Sequence, residues 1–481
     1  MAAELHIAEC PQAADRPLRR LLLLAAALYA AFVIYGSLVP FSFRPMPLAE
    51  AKAQFIQCLS RTHYHTSRSD VAVNVLLMAP LAMFLTGAVA YRRSALTAVL
   101  GAAIAIAACG MLSFGVEFAQ MFFPPRTPSR TDIAAQHLGA LLGIGVWLLA
   151  GRNLVDGLRR WKAADGQANH AAALLPACLL LLVILQTVPF DFATSPVELY
   201  RKWRAGAVNL LPFAYPAHSM LDTINAAILN AAQYVPLGIL GRLARSCRPV
   251  PRWTHPALLA VGAPLLAEAA QLLVLSRVAD LTDVLTGACG VLAGWWAAAV
   301  LQRQPSSVAG RWFKPAVWTL LVAVWLGLLA LVYWQPLDFH FSRQMIRHKL
   351  AGIDLVPLAD YQNTTPYNAI DQCAAKLMLF VPLGALLAAA CIHRGAGRRP
   401  GRACLLPVLG ITLAVAVLLE AGQLLLPSRY PGLTDILLGC VGSSAGLGIV
   451  CCGSQSPPGT ERMTNRTAAA VDTLEPKPAI Y

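Results

Sequence analysis

The residues best able to do chemistry recur three times at one spacing. Glu117, Gln120, Arg126, Thr131 and Asp132 make the first set. Glu268, Gln271, Arg277, Thr282 and Asp283 make the second, and Glu420, Gln423, Arg429, Thr434 and Asp435 the third. Each set reads E-x-x-Q-x(5)-R-x(4)-T-D without a gap. A carboxylate, an amide, a guanidinium and a second carboxylate in so short a stretch suit two kinds of work. One is a polar pocket for a charged or sugar-bearing headgroup, with Glu117 as the candidate acid or base. In that reading Glu117, Arg126 and Asp132 form an ion-pair network at the mouth of the pocket. The other is structural: the arginine ties a hairpin together, and Thr-Asp caps the helix that follows. The sequence leaves both open. In the first copy two further amides join the candidate binding set, Asn74 upstream and Gln136 one turn past Asp132.

The elements that must position these residues are helices. Glu and Gln at i and i+3 share one helix face, and each pair ends an apolar run such as Leu96 to Phe123. Thr-Asp opens the next apolar run, so each motif is a tight helical hairpin at a membrane surface. Glycines follow at equal offsets, Gly139 and Gly143, Gly290 and Gly294, Gly442 and Gly446. The copies lie about 150 residues apart, the mark of a triplicated module.

Composition agrees. Of the 481 residues, 57% are hydrophobic and 13% charged, against about 25% charged in soluble domains. Apolar runs long enough to span a bilayer recur along the whole chain. The sequence predicts an all-α polytopic membrane protein of about twelve transmembrane helices, built as three parallel four-helix repeats. The repeats cover 20–151, 172–301 and 315–452, between a cytoplasmic N-terminus at 1–19 and a disordered cytoplasmic tail at 453–481. In each repeat a first span ends in Pro40-Phe41-Ser42-Phe43, Pro189-Phe190-Asp191-Phe192 or Pro336-Leu337-Asp338-Phe339. A loop follows, which holds His63 and His65 in the first repeat and reads as solvated. The second span carries Asn74, Asn230 or Lys376 and, six residues later, Pro80, Pro236 or Pro382, which read as helix kinks. The run Leu21–Val39 has no small-residue cleavage site before Pro40 and reads as an uncleaved span, not a signal peptide.

The net charge of +14 falls between apolar runs, as a topology signal does, and gives no nucleic-acid footprint. The cation-rich segments alternate: the N-terminus, Arg92-Arg93, Arg152 to Lys162, Arg242 to Arg252, Arg303 to Lys314, and His393 to Arg402. Both termini and these loops are therefore expected in the cytoplasm, with all three E-x-x-Q…R…T-D turns outside. Parallel repeats of this kind share an axis along the membrane normal. The twelve cysteines are scattered, with no C-x-x-C and no zinc spacing. No cofactor or metal is expected, and no phosphate-cradling motif or Ser-His-Asp order is visible.

These motifs together resemble the VanZ-like family, a four-span module with an N-x(5)-P-L-G span, an E-x-x-Q ending, an arginine turn and a D-x(3)-N-x(2)-G helix. Asn74, Pro80, Glu117, Gln120, Arg126, Asp132 and Gly139 match that pattern. The family takes its name from a teicoplanin-resistance protein, and the resemblance implies a cell-envelope role at the bacterial inner membrane without a named reaction. This chain departs from the pattern four residues after the aspartate, with Gln136 in the first copy and Gly287 and Gly439 in the others. Lys376 also replaces the span amide in the third copy. The first repeat alone keeps the full set of amides and carboxylates, so a working site is expected there. The partners expected are membrane lipid and a lipid-linked glycan or envelope polymer. A transporter with a pathway between the repeats and a non-catalytic scaffold are the alternatives.

Overall fold

The computed structural model describes residues 11–60, 67–90, 94–163, 167–213, 220–245, 252–302, 309–361, 366–394 and 402–452. His63, His65, Arg92-Arg93 and the tail from Gly453 lie outside them. Each repeat folds into five helices. The first contains α1 (Pro11–Leu38), α2 (Leu48–Ser60), α3 (Arg68–Ala90), α4 (Ala95–Gln120) and α5 (Arg130–Ala163). The second contains α6 (Gln167–Gln186), α7 (Pro196–Arg204), α8 (Met220–Ala244), α9 (Pro256–Leu272) and α10 (Leu281–Gln302). The third contains α11 (Ala309–Trp334), α12 (Arg343–Ala351), α13 (Pro366–Arg394), α14 (Arg402–Gln423) and α15 (Leu433–Cys452).

Among the described residues nine helices are long and apolar enough to cross a bilayer, with mean hydropathy of 1.2–2.3 over the spanning window. Three shorter apolar helices, Ala171–Gln186, Pro256–Leu272 and Trp318–Trp334, occupy the remaining span positions. The fit of the long spans to a bilayer also shows on the outside: Leu24, Met111, Leu149 and Leu406 are exposed apolar side chains on their surfaces, the arrangement that lipid permits.

Two expectations need correction. The loops after the first spans are not irregular throughout, because each contains a short helix: α2, α7 or α12. These helices are short, at 13, 9 and 9 residues, and amphipathic, so apolar run length does not reveal them. Ser195 and Ser342 cap the last two, accepting from the Glu198 and Met345 N–H groups. The segment Arg152 to Lys162 is also no loop; it continues α5 as helix.

The core of every repeat is the crossing of its second and fourth spans, α3 on α5, α8 on α10 and α13 on α15, which are the most extensive helix contacts. The repeated glycines explain it. A Cβ at Gly139 or Gly143 would collide with the Val75 or Ala79 carbonyl. At Gly290 and Gly294 it would meet Ala231 and Val235, and at Gly442 and Gly446, Leu377 and Val381. In each repeat these carbonyls belong to the residue after Asn74, Asn230 or Lys376 and the residue before the span proline. Backbones approach this closely only where the side chain is missing, so one register is kept three times.

The repeats also join in a ring. Arg68, at the start of α3, forms two hydrogen bonds with Glu198 of the second repeat, at 2.9 and 3.3 Å. Asp222 at the start of α8 accepts from Gln335 at the end of the first span of the third repeat. The third repeat closes on the first, where the Tyr35 hydroxyl donates to the Pro357 carbonyl at 2.8 Å. Each joint links the approach to a second span with the exit of a first span. In the interior, α13 touches both α3 and α8.

Candidate functional site

The glutamate of each motif has the same job. Glu117 Oε2 accepts the Ser129 N–H, Glu268 Oε2 the Asp280 N–H, and Glu420 Oε2 the Gly432 N–H, each at 2.9 Å. The donor lies twelve residues downstream every time. It sits just before Thr-Asp, where the chain turns into the fourth span. A helix start leaves N–H groups without partners, and the glutamate supplies one from the facing helix. All three carboxylates are buried, and Glu117 is 1% exposed.

The arginine closes the hairpin onto the first span. Arg126 Nε donates to the Val39 carbonyl at 3.0 Å, Arg277 Nε to Val188 at 2.6 Å, and Arg429 Nε to Gln335 at 2.8 Å. Each acceptor is the residue before Pro40, Pro189 or Pro336, and these prolines follow cis peptide bonds. The next residue, Phe41, Phe190 or Leu337, takes a left-handed backbone with φ of 62°, 63° and 67°. Arg126 thus grips span-end carbonyls, including that of Gly36, and the network expected with Glu117 and Asp132 gives way to this clamp. Burial lowers the Arg126 pKa, and the nearby Glu117 charge works against that shift.

The glutamines differ. Gln120 Nε2 reaches the Ser37 carbonyl, whereas Gln271 donates to Gln186, which donates in turn to Gln233. Gln423 turns back to Glu420 at 3.3 Å. In the first repeat the structure does bring Asn74 and Gln136 together, at 3.0 Å, with Asn74 also bonded to the Asp70 carbonyl. Asn230 binds the Asp283 carbonyl and Thr286 hydroxyl, both at 2.7 Å.

The third repeat assembles something else. Lys376 forms an ion pair with Asp435 and donates to the Tyr361 hydroxyl at 2.9 Å, while Tyr361 donates to Asp435 at 2.9 Å. This triangle borders a cavity of about 730 Å³ between the third repeat and α8. Asn225, Tyr333, Asp360, Gln372, Arg429 and Tyr430 contribute to its wall. Burial raises the Asp360 pKa, with Asp354 and Asp435 adding to the shift and Lys376 opposing it. Of the expected first-repeat set, Asn74 and Gln136 meet, with Gln136 Oε1 left buried without a partner, while Gln120 and Arg126 turn to carbonyls of the first span. The cavity lies beside Asp435, Gln423 and Arg429 of the third repeat.

Sequence reasoning missed two lysines. Lys202 on α7 donates to the Gln271, Leu272 and Val274 carbonyls, and Lys349 on α12 to those of Gln423, Leu426 and Arg429. Each pins its short helix to the end of a third span, where carbonyls lack helical partners. Burial lowers the pKa of both. A signal existed: both lie ten residues after the phenylalanine of the P-x-D-F loop. In the first repeat the buried residue of the short helix is Ala51. Thr282 and Thr434, expected as helix caps, are instead the second residues of α10 and α15, and their hydroxyls accept the Phe213 and Leu358 N–H groups, at 2.9 and 2.8 Å. The loop before the second span is thereby seated on the motif. The caps are residues just before the helix, with Ser129 Oγ accepting the Thr131 N–H and Asp280 Oδ1 the Thr282 N–H.

Among the described residues no cluster of three or more His, Cys, Asp and Glu side chains could hold a metal ion. No curated protein and no solved structure matches the chain. One family model matches it three times, at residues 22–151, 174–302 and 318–453, each match enclosing one complete clamp of glutamate, arginine and Thr-Asp. The chain is an integral membrane protein of three tandem modules, and it belongs to the VanZ/LLP1 family.

Proposed function

We propose that the protein binds a lipid-linked sugar or a related envelope glycoconjugate at the outer face of a bacterial cytoplasmic membrane, with both termini inside. The observation that carries this reading is the cavity beside Asp435. It combines tyrosines (Tyr333, Tyr361, Tyr430), amides (Asn225, Gln372, Gln423) and charges (Lys376, Asp435) at one end of the spans. Apolar walls with a few convergent polar groups suit a small headgroup. The cavity lies at the end of the spans opposite the cation-rich segments, which the positive-inside rule assigns to the cytoplasm.

Two measurements test the reading. Alkaline phosphatase fused after Arg126 should be active and fused after Arg92 inactive; the reverse pattern would place the cavity inside. Lipid and glycan profiling of a deletion strain should show a changed pool of lipid-linked sugar or envelope glycan, restored by the wild-type gene. An unchanged profile would remove the headgroup reading. The ring of repeats also offers what a transporter needs, but the cavity's polar residues gather at one end of the spans, which favours binding.

A further inference from the structure

We infer that the ligand of the cavity is anionic: a phosphate-type group joining sugar to lipid, recognised by Lys376 and Arg429. This rests on the headgroup reading above and narrows it.

The argument starts from a comparison within the chain. At the second-span position the first two repeats use Asn74 and Asn230, and their amides are satisfied by neighbouring groups. A neutral amide therefore suffices to build the module. The third repeat uses Lys376 instead, although a charge in a span is expensive and commonly marks a functional position. The charge is placed on the cavity wall.

Three cations meet on the wall. Lys349, Lys376 and Arg429 face Asp360 and Asp435. Asp435 is taken by Lys376. Lys349 is caged by carbonyls and Arg429 Nε is held by the Gln335 carbonyl, so neither bond supplies a counter-charge. Burial makes the Asp360 carboxyl a weaker acid than usual, which lessens the negative side. An anion would give Arg429 a counter-charge that its carbonyl partner does not supply.

The neutral groups add a second, independent observation. Tyr333 is 6% exposed, lines the cavity, and its hydroxyl has no hydrogen-bond partner. It stands three residues before Pro336, where the second repeat has Gln186 in a closed chain with Gln271 and Gln233. Asn225 Oδ1 on the facing wall is likewise buried without a partner. A buried polar atom left unpaired is costly. A phenolic O–H suits a phosphate or sugar oxygen, and an amide oxygen suits a sugar hydroxyl. A sugar phosphate offers both, beside two cations.

The test uses the full-length protein in nanodiscs of zwitterionic lipid. Three probes are titrated: a polyprenyl phosphate-linked hexose, a neutral hexosyl diacylglycerol, and inorganic phosphate. The phosphate-linked hexose should bind at least tenfold more tightly than the neutral glycolipid. Lys376→Asn, which installs the residue used by the other repeats, should erase that preference while neutral binding persists. Lys376→Arg should keep it, and Tyr333→Phe should weaken both lipids severalfold. Competition by millimolar inorganic phosphate would assign the site to free phosphate, overturning the lipid-linked source. Equal binding of both lipids to the wild type would overturn the anionic ligand and leave the headgroup reading standing. Binding of neither would overturn both. An unchanged preference in Lys376→Asn would overturn the role of Lys376.

Discussion

The three motif glutamates offer the sharpest perturbation, because each accepts one backbone N–H twelve residues away in the same geometry. Replacing Glu117, Glu268 or Glu420 by alanine leaves that N–H unpaired in a buried hairpin. An orphaned buried donor costs roughly 1–3 kcal/mol, and one or two kcal/mol is a factor of about 5–30 in the folded-to-unfolded ratio. Each alanine variant should therefore lower the denaturation midpoint of the purified protein by a similar amount. Glutamine keeps an acceptor oxygen and the same length, so Glu117→Gln and Glu268→Gln should recover most of the loss. The assay is thermal unfolding in detergent, followed by intrinsic fluorescence and by the fraction that stays monodisperse. If Glu117→Gln folds like wild type yet fails to restore the lipid and glycan profile of a deletion strain, while Glu268→Gln restores it, Glu117 carries a charge-dependent function and the clamp account of the first repeat is wrong.

Three more expectations follow from the packing. Gly442→Leu drives a side chain into the Leu377 carbonyl and should cost about 1–3 kcal/mol or more as an overpacked site. Gly448→Leu on the same helix meets open space and should be nearly silent; equal folded yields from the two would refute the close crossing. Lys349→Met deprives the Gln423, Leu426 and Arg429 carbonyls of their donor. It should loosen α12, seen as faster hydrogen exchange over 343–351 with the spans unchanged, while uniform exchange across the chain would contradict this. Finally, Arg68 hydrogen-bonds Glu198, with help from the Thr194 N–H, and lowers its pKa from 4.5 to about 2. The Arg68–Glu198 contribution to the joint is therefore fully present above about pH 4.5 and is lost as pH falls toward 2, while the Arg68 bond to the Phe192 carbonyl does not titrate. Exchange protection of α7 should follow that window, and Glu198→Gln should remove the dependence.

Much of the architecture was legible because membranes leave few choices. Apolar run length gave the spans, and threefold repetition of E-x-x-Q…R…T-D gave the modules and their hairpins. The glycines were visible as offsets, but their meaning required the facing carbonyls of Val75, Ala231 and Leu377. The structural alternative for the arginine was also readable, though its partner was not: Val39, Val188 and Gln335 lie about 90 residues away in sequence. The short helices α2, α7 and α12 escaped because they are short and amphipathic, and apolar run length marks only spans. The cavity beside Asp435 left no such mark. Counting amides favoured the first repeat, where Asn74 and Gln136 bond to each other. By type alone Lys376 only replaces an amide, and its partners Asp435 and Tyr361 are invisible there, since neither a cavity nor an ion pair between two helices leaves a mark on local spacing.

The most direct test of the account is photo-crosslinking of a diazirine-bearing lipid-linked sugar to the reconstituted protein, mapped by mass spectrometry of the crosslinked peptides. The account predicts adducts on segments that line the cavity, 349–361 and 423–435 of the third repeat and the start of α8 around Asn225, competed by unlabelled ligand. Competable adducts confined to residues 117–137 of the first repeat, with none in the third, would contradict it.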